Sequence, residues 1–224
     1  MQKFSGNGRF LGQRVSEGPA VIGGTCRLQG AISPNTGLPL TQHAAVKLGA
    51  SGFAIPNWDV PEVHFLYSWK CCISQGDLSY RYASGRLEII EYTAGTEDFA
   101  GFPYDGYPVV FPAAQFLLRP IPEEDQEIIA RLNNTELDQG FKFENARAGQ
   151  LSIPTHQFGG RPFLLNPLMD EKRCVVCGDE MVLVASIGNE SFSHDGGFFG
   201  NDFVQLVFFA CNRCQVLSAV NVAN

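Results

Sequence analysis

The chain has 224 residues, 45% of them hydrophobic and 12% aromatic, which excludes a disordered chain and allows a sizeable core in one large or two small domains. A net charge of -7 argues against a general nucleic-acid binder and favours a basic partner. The odd count of seven cysteines speaks against a fully paired disulfide framework. With no signal-peptide core at the start and no run of membrane-spanning length, a reducing, cytoplasmic compartment is expected.

Residues 1–20 read as a Gly-rich, polar segment. Gly6, Gly8 and Gly12 resemble a dinucleotide loop only faintly, since the last spacing is wrong and no strand precedes them. From Val21 an ordered unit begins, and Ile22-Gly23-Gly24 is echoed by Phe158-Gly159-Gly160. A slide of 141 positions sets Gly37 on Gly178, Ala44 on Ala185 and Val63 on Val204 without a gap. That slide puts Ser33, Thr36, Lys70 and Ile73 on four later cysteines, so the first copy keeps the hairpin and lacks a metal. The run 63–69 alternates as a strand with Val63, Phe65, Tyr67 and Trp69 on one face. Cys71 and Cys72 follow it, and adjacent side chains on a strand point to opposite faces, a poor arrangement for sharing one ion.

Strands are expected over 78–83 and 86–93, joined by a Ser-Gly turn. The loop 94–108 carries Phe102, Tyr104 and Tyr107. Pro112 interrupts the apolar run 109–118, which predicts two short strands or an edge. The one helix is expected over about 122–133, where Pro122 suits the first turn and Glu123, Glu124 and Asp125 sit at the positive end of the dipole. Ile128, Ile129 and Leu132 form its apolar stripe, and Glu127 can pair with Arg131. Polar residues 134–150 connect the halves.

The last quarter carries the strongest chemical signal. Cys174-Val175-Val176-Cys177-Gly178 and Cys211-Asn212-Arg213-Cys214 are two Cys-x-x-Cys pairs, a spacing suited to four thiolates around tetrahedral zinc. Strands expected over 181–187 and 203–210 would pair as a hairpin and return Cys211 to Cys177. The competing reading is four reduced cysteines acting as small apolar residues. A closed four-sulfur site leaves no position for water or substrate, so one structural zinc is expected, held by Cys174, Cys177, Cys211 and Cys214.

The fold class is therefore mainly β with minor helix (α+β): two internally duplicated hairpin halves, the second with a zinc-ribbon-like site. The expected order is a polar segment 1–20, a metal-free repeat 21–121, a helix and connector 122–150, and a metal-bearing repeat 151–224, together one compact module.

The double glycine before Pro162 and Phe163, then Cys-x-x-Cys-Gly, then an aromatic strand entering Cys-x-x-Cys, resembles the YwqG-like (TYPIN) superfamily. The similarity is clearest over 156–214 and extends weakly back to 21. What it implies is a β-rich, internally duplicated protein-binding module with those four cysteines as ligands. Bacterial members are associated with toxin immunity, and eukaryotic relatives with escorting a newly made ribosomal protein.

Other chemistries find less support. His43, His64, His156 and His194 stand singly, with no metal-ligand spacing, though Cys26 or Cys72 is open to pairing with one of them. Around the ribbon, Lys172, Arg173 and Arg213 are balanced by Asp170, Glu171, Asp179 and Glu180, too sparse a positive footprint for a phosphate backbone. The expected function is neutralisation of a cognate toxin, and the alternative is escort of a basic ribosomal protein. The expected contacts are the hairpin loops remote from the metal, with aromatic anchors Phe192, Phe198 and Phe199 beside Asp195, and Phe53 and Trp58 in the first copy.

Overall fold

A computed structural model describes residues 3–34, 37–68, 78–83, 85–92, 110–132, 154–166, 171–188 and 204–223. The strands are β1 (Lys3–Phe4), β2 (Arg9–Val15), β3 (Ala20–Gly24), β4 (Thr41–Lys47), β5 (Glu62–Tyr67), β6 (Leu78–Ala83) and β7 (Arg86–Tyr92). After them come β8 (Phe111–Pro120), the helix α1 (Glu123–Arg131), β9 (His156–Phe158), β10 (Val182–Gly188), β11 (Val204–Cys211) and β12 (Val216–Ala223). All twelve strands form one curled sheet in the order β5-β4-β3-β8-β2-β9-β10-β11-β12-β6-β7, antiparallel except where β1 joins β10.

The first 20 residues are not merely a polar lead-in. β2 lies mid-sheet between β8 and β9, and β1 lies beside β10. Their strand character is masked because β2 is half-exposed and its pairing with β8 shifts register between Leu11 and Arg14. Nor do residues 21–121 and 151–224 form separate sheets. β3 pairs with β8 while β2 pairs with β9, and β6 crosses to pair with β12. Despite Pro112, β8 is a single strand of ten residues. Pro112 falls in an irregular part of the β3 ladder, beyond the last β2 pair at Gln115, where a missing N–H is tolerated.

The sheet curls until β5 comes beside β6. Tyr80 and Tyr82 of β6 fill the seam with hydroxyls rather than a ladder. The Tyr80 hydroxyl accepts from Leu66 N (2.9 Å) and donates to His64 O (2.7 Å), and Tyr82 Oη accepts from His64 N (2.6 Å). Buried backbone groups need such partners, so the tyrosines replace a neighbouring strand.

Inside the curl, the Phe65 ring meets Phe158 at 5.5 Å and Phe208 at 5.1 Å between centroids. β11 is buried on both sides. Leu206, Phe208 and Ala210 face this core, whereas Val207, Phe209 and Cys211 face a smaller cluster with Leu164, Met181, Leu183 and Cys174. The period-2 geometry of the strand therefore delivers Cys211 to the second cluster. Helix α1 begins after Pro122, carries Glu123, Glu124 and Asp125 in its first turn, and buries Ile129. Gly160, at φ 64°, lets it dock, because a Cβ there would run into Gly8 and the Gln126 side chain.

The two hairpins correspond pair by pair, though not on a gapless slide. β4 and β10 are 141 positions apart and share a register shift, after Gln42 and after Leu183. Phe65 lies opposite Ala44, whereas Phe208 lies opposite Ala185, so β5 and β11 are offset by 143. The six pairs of each hairpin obey this rule, so the gapless 141-position slide does not hold across both strands; Lys70 and Ile73, which that slide set on Cys211 and Cys214, lie outside the described residues. Cys71 and Cys72, like Trp69, Thr36, Phe102, Tyr104, Tyr107 and residues 134–150, lie outside the described residues.

Candidate metal centre

Cys174 and Cys177 sit on the turn before β10, Cys211 ends β11, and Cys214 lies in the turn into β12. Because β10 and β11 are antiparallel, Val182 pairs with Ala210 and the two turns meet. The four sulfurs lie within 4.8 Å of one another, with Cys177 Sγ and Cys211 Sγ 3.7 Å apart. Sulfurs on a tetrahedron around zinc, at about 2.3 Å from it, are roughly 3.8 Å apart. The donor set fits a metal ion with four thiolates and no open position.

Local backbone geometry prepares the first turn. Gly178 N donates to Cys174 O (2.8 Å), Cys174 N to Asp179 O (2.9 Å), and Met181 N to Lys172 O (2.8 Å). Gly178 has φ 74°, a conformation costly for other residues. The same turn occurs in the first hairpin without the cysteines. Gly37 N donates to Ser33 O (3.0 Å), Ser33 N to Leu38 O (2.8 Å), and Leu40 N to Ala31 O (3.0 Å). The short bridges Ile32–Pro39 and Arg173–Glu180 match as well. This turn therefore forms from hydrogen bonds and a left-handed glycine, with no ion required.

The second turn differs. Gln215, a non-glycine residue at φ 53°, closes it, and its N–H donates to Cys211 O (3.1 Å). Cys214 N donates to Cys211 Sγ (3.4 Å), a contact that favours the thiolate. Burial raises the Cys211 thiol and, with the crowding of its sulfur neighbours, pushes Cys214 up to about 12. At Cys174 burial opposes ionisation, but hydrogen bonds from the N–H groups of Cys177 and Val176, together with those from the Cys211 and Cys177 thiols, lower the pKa. Four clustered sulfurs cannot all ionise on their own; a cation makes that possible.

Surrounding charge is neutralised locally. Lys3 Nζ pairs with Glu180 (2.9 Å), Arg213 with Asp179 (3.6 Å) and Arg173 with Glu171 (3.8 Å). Val175 and Val176, by contrast, stand exposed at the tip of the first turn.

The expected aromatic contacts of the first hairpin are overturned. Phe53 and Trp58 are buried, at 2% and 9% exposure, so neither is offered to a partner. Phe53 packs on Phe65 and Phe158. Their loop is not remote from the metal centre either: Trp58 Nε1 donates to the carbonyl of Cys211 (3.1 Å). A contact spanning 153 positions leaves no sequence signal. Phe192, Asp195, Phe198 and Phe199 lie outside the described residues, as does His194.

His43 and His156 are buried, and burial lowers both to about 3, with His156 lowering His43 further. His64 Nδ1 lies 2.7 Å from Gln42 Oε1 and Nε2 lies 3.3 Å from Glu62; burial lowers its pKa against the pull of Glu62, so the neutral ring has one N–H for two acceptors. Burial raises the Cys26 thiol.

Fold and site together define a β-rich protein with a four-cysteine cluster able to hold a metal ion. Comparisons with protein-family models, curated proteins and solved structures found no match to this chain.

Proposed function

We propose that this protein is a non-enzymatic protein-binding module, a bacterial immunity protein that occludes a basic toxin, with one structural zinc as scaffold. The observation that carries the reading is the closed four-sulfur site at one end of the β10–β11 hairpin. Its closure leaves the ion no substrate position, so it serves to fix the hairpin. Val182–Ala210 marks the cysteine end and Gly188–Gln205 the other, roughly 20 Å away at strand rise, where residues 189–203 join the strands. Phe192, Phe198, Phe199 and Asp195 belong to that connection and remain the proposed contacts; Phe53 and Trp58 do not. The charge of -7 and the exposed Glu123, Glu124 and Glu127 of α1 favour a basic partner.

The test is affinity capture from the native organism with identification of the bound protein, followed by Phe198→Ala/Phe199→Ala. Capture of a toxin, with binding and protection lost in the double variant, supports the reading. Undiminished binding moves the interface elsewhere, and capture of a ribosomal protein replaces toxin neutralisation with escort.

A further inference from the structure

The two arms of the metal centre are secured differently. The arm 174–178 holds its shape through backbone hydrogen bonds that recur at 33–37, where no cysteines stand. The arm 211–215 contains a non-glycine residue, Gln215, in left-handed backbone. A conformation of this kind persists where its surroundings over-determine it.

Two backbone carbonyls of that second arm are held from the first half of the chain. Trp58 Nε1 donates to Cys211 O at one end, and Tyr82 N donates to Gln215 O (3.3 Å) at the other. The Trp58 and Tyr82 rings pack edge-to-face at 5.6 Å. Tyr82 then accepts the His64 N–H of β5, closing the seam of the curled sheet. One continuous path therefore leads from Cys211 and Gln215, at the two ends of this arm, to the seam between β5 and β6.

We infer that the metal is a latch: its binding by Cys211 and Cys214 fixes the carbonyls that hold Trp58 and Tyr82, and its loss frees the 48–61 loop and loosens the seam while the sheet stays folded. This rests on the four-cysteine cluster being a metal centre. Coupling is reciprocal, so a change at Trp58 must also alter metal affinity. Removing one hydrogen bond to a fixed carbonyl changes an equilibrium by roughly two- to tenfold.

The chain has two tryptophans, so a Trp69→Phe variant isolates Trp58. Zinc-loaded protein is treated with a chelator, and metal content, tryptophan emission, acrylamide quenching and far-UV circular dichroism are followed on the same samples. Expected are a red-shifted, more quenchable Trp58 with unchanged far-UV signal, reversed by adding zinc. Separately, Trp58→Phe should bind zinc roughly two- to tenfold more weakly. If Trp69→Phe does not fold, hydrogen–deuterium exchange on the unmodified chain replaces fluorescence, with faster exchange expected over 52–68 after metal removal. Verified metal loss that leaves Trp58 or that segment unchanged overturns the latch alone, as does collapse of the whole sheet. Failure of the protein to bind zinc at all overturns the metal reading and the latch with it.

Discussion

Phe65 and Phe208 meet edge-to-face at 5.1 Å, and each lies opposite the first alanine after the register shift of its own hairpin. The corresponding residues of two hairpins are thus each other's core neighbours. Alanine at either position should lower stability by about 3–5 kcal/mol. The double variant should fall short of additivity by about 0.5–1.5 kcal/mol, the worth of such a ring pair. Urea unfolding of the four proteins in the cycle measures this, and strict additivity would contradict a direct contact.

One zinc per chain should bind, with four sulfurs at about 2.3 Å by X-ray absorption. Replacing Cys214 by serine should remove the metal and lower the unfolding midpoint by the equivalent of several kcal/mol. The far-UV signal at room temperature should persist, because the core around Phe65 and Phe158 does not include the cysteine cluster. Metal-free protein after purification with added zinc under reducing conditions would refute the site.

Gly37 and Gly178 occupy matching turns at φ 66° and 74°, and a Cβ at either meets nothing within 4 Å. Alanine at each should therefore cost only the backbone strain, about 1–2 kcal/mol, and nearly the same amount in zinc-free protein. A much larger loss at Gly37 would show that its turn does more than reverse the chain. Denaturant midpoints of both variants decide the matter.

His43 and His156 are held neutral, with folded pKa values of about 3 against 6.5 for the ordinary side chain. Below pH 6.5 the unfolded chain takes up protons that the folded chain refuses. Their contribution is therefore complete above that pH and is lost as pH falls toward 3. Two such groups give a slope of up to about 2.7 kcal/mol per pH unit. Unfolding free energies between pH 7.5 and 4.5 should show this fall, and His156→Gln should reduce its steepness by about half. A flat profile would mean that the histidines are not buried as described.

What the sequence by itself determined is local. The Cys-x-x-Cys spacing placed the four-cysteine cluster, and the acidic first turn after Pro122 placed α1. The apolar runs at 181–187 and 203–210 located two strands to within a residue. Tertiary structure decided the rest. Ladder hydrogen bonds are made by backbone common to all residues, so nothing local told β2 to lie between β8 and β9, or β6 to join β12. Strands buried on both faces lose the wet–dry alternation that reveals register, which is why β5 and β11 proved to be offset by 143 positions rather than 141. Phe53 and Trp58 read as loop aromatics, yet the curl of the sheet provides them an interior, and only that curl brings Trp58 to the carbonyl of Cys211.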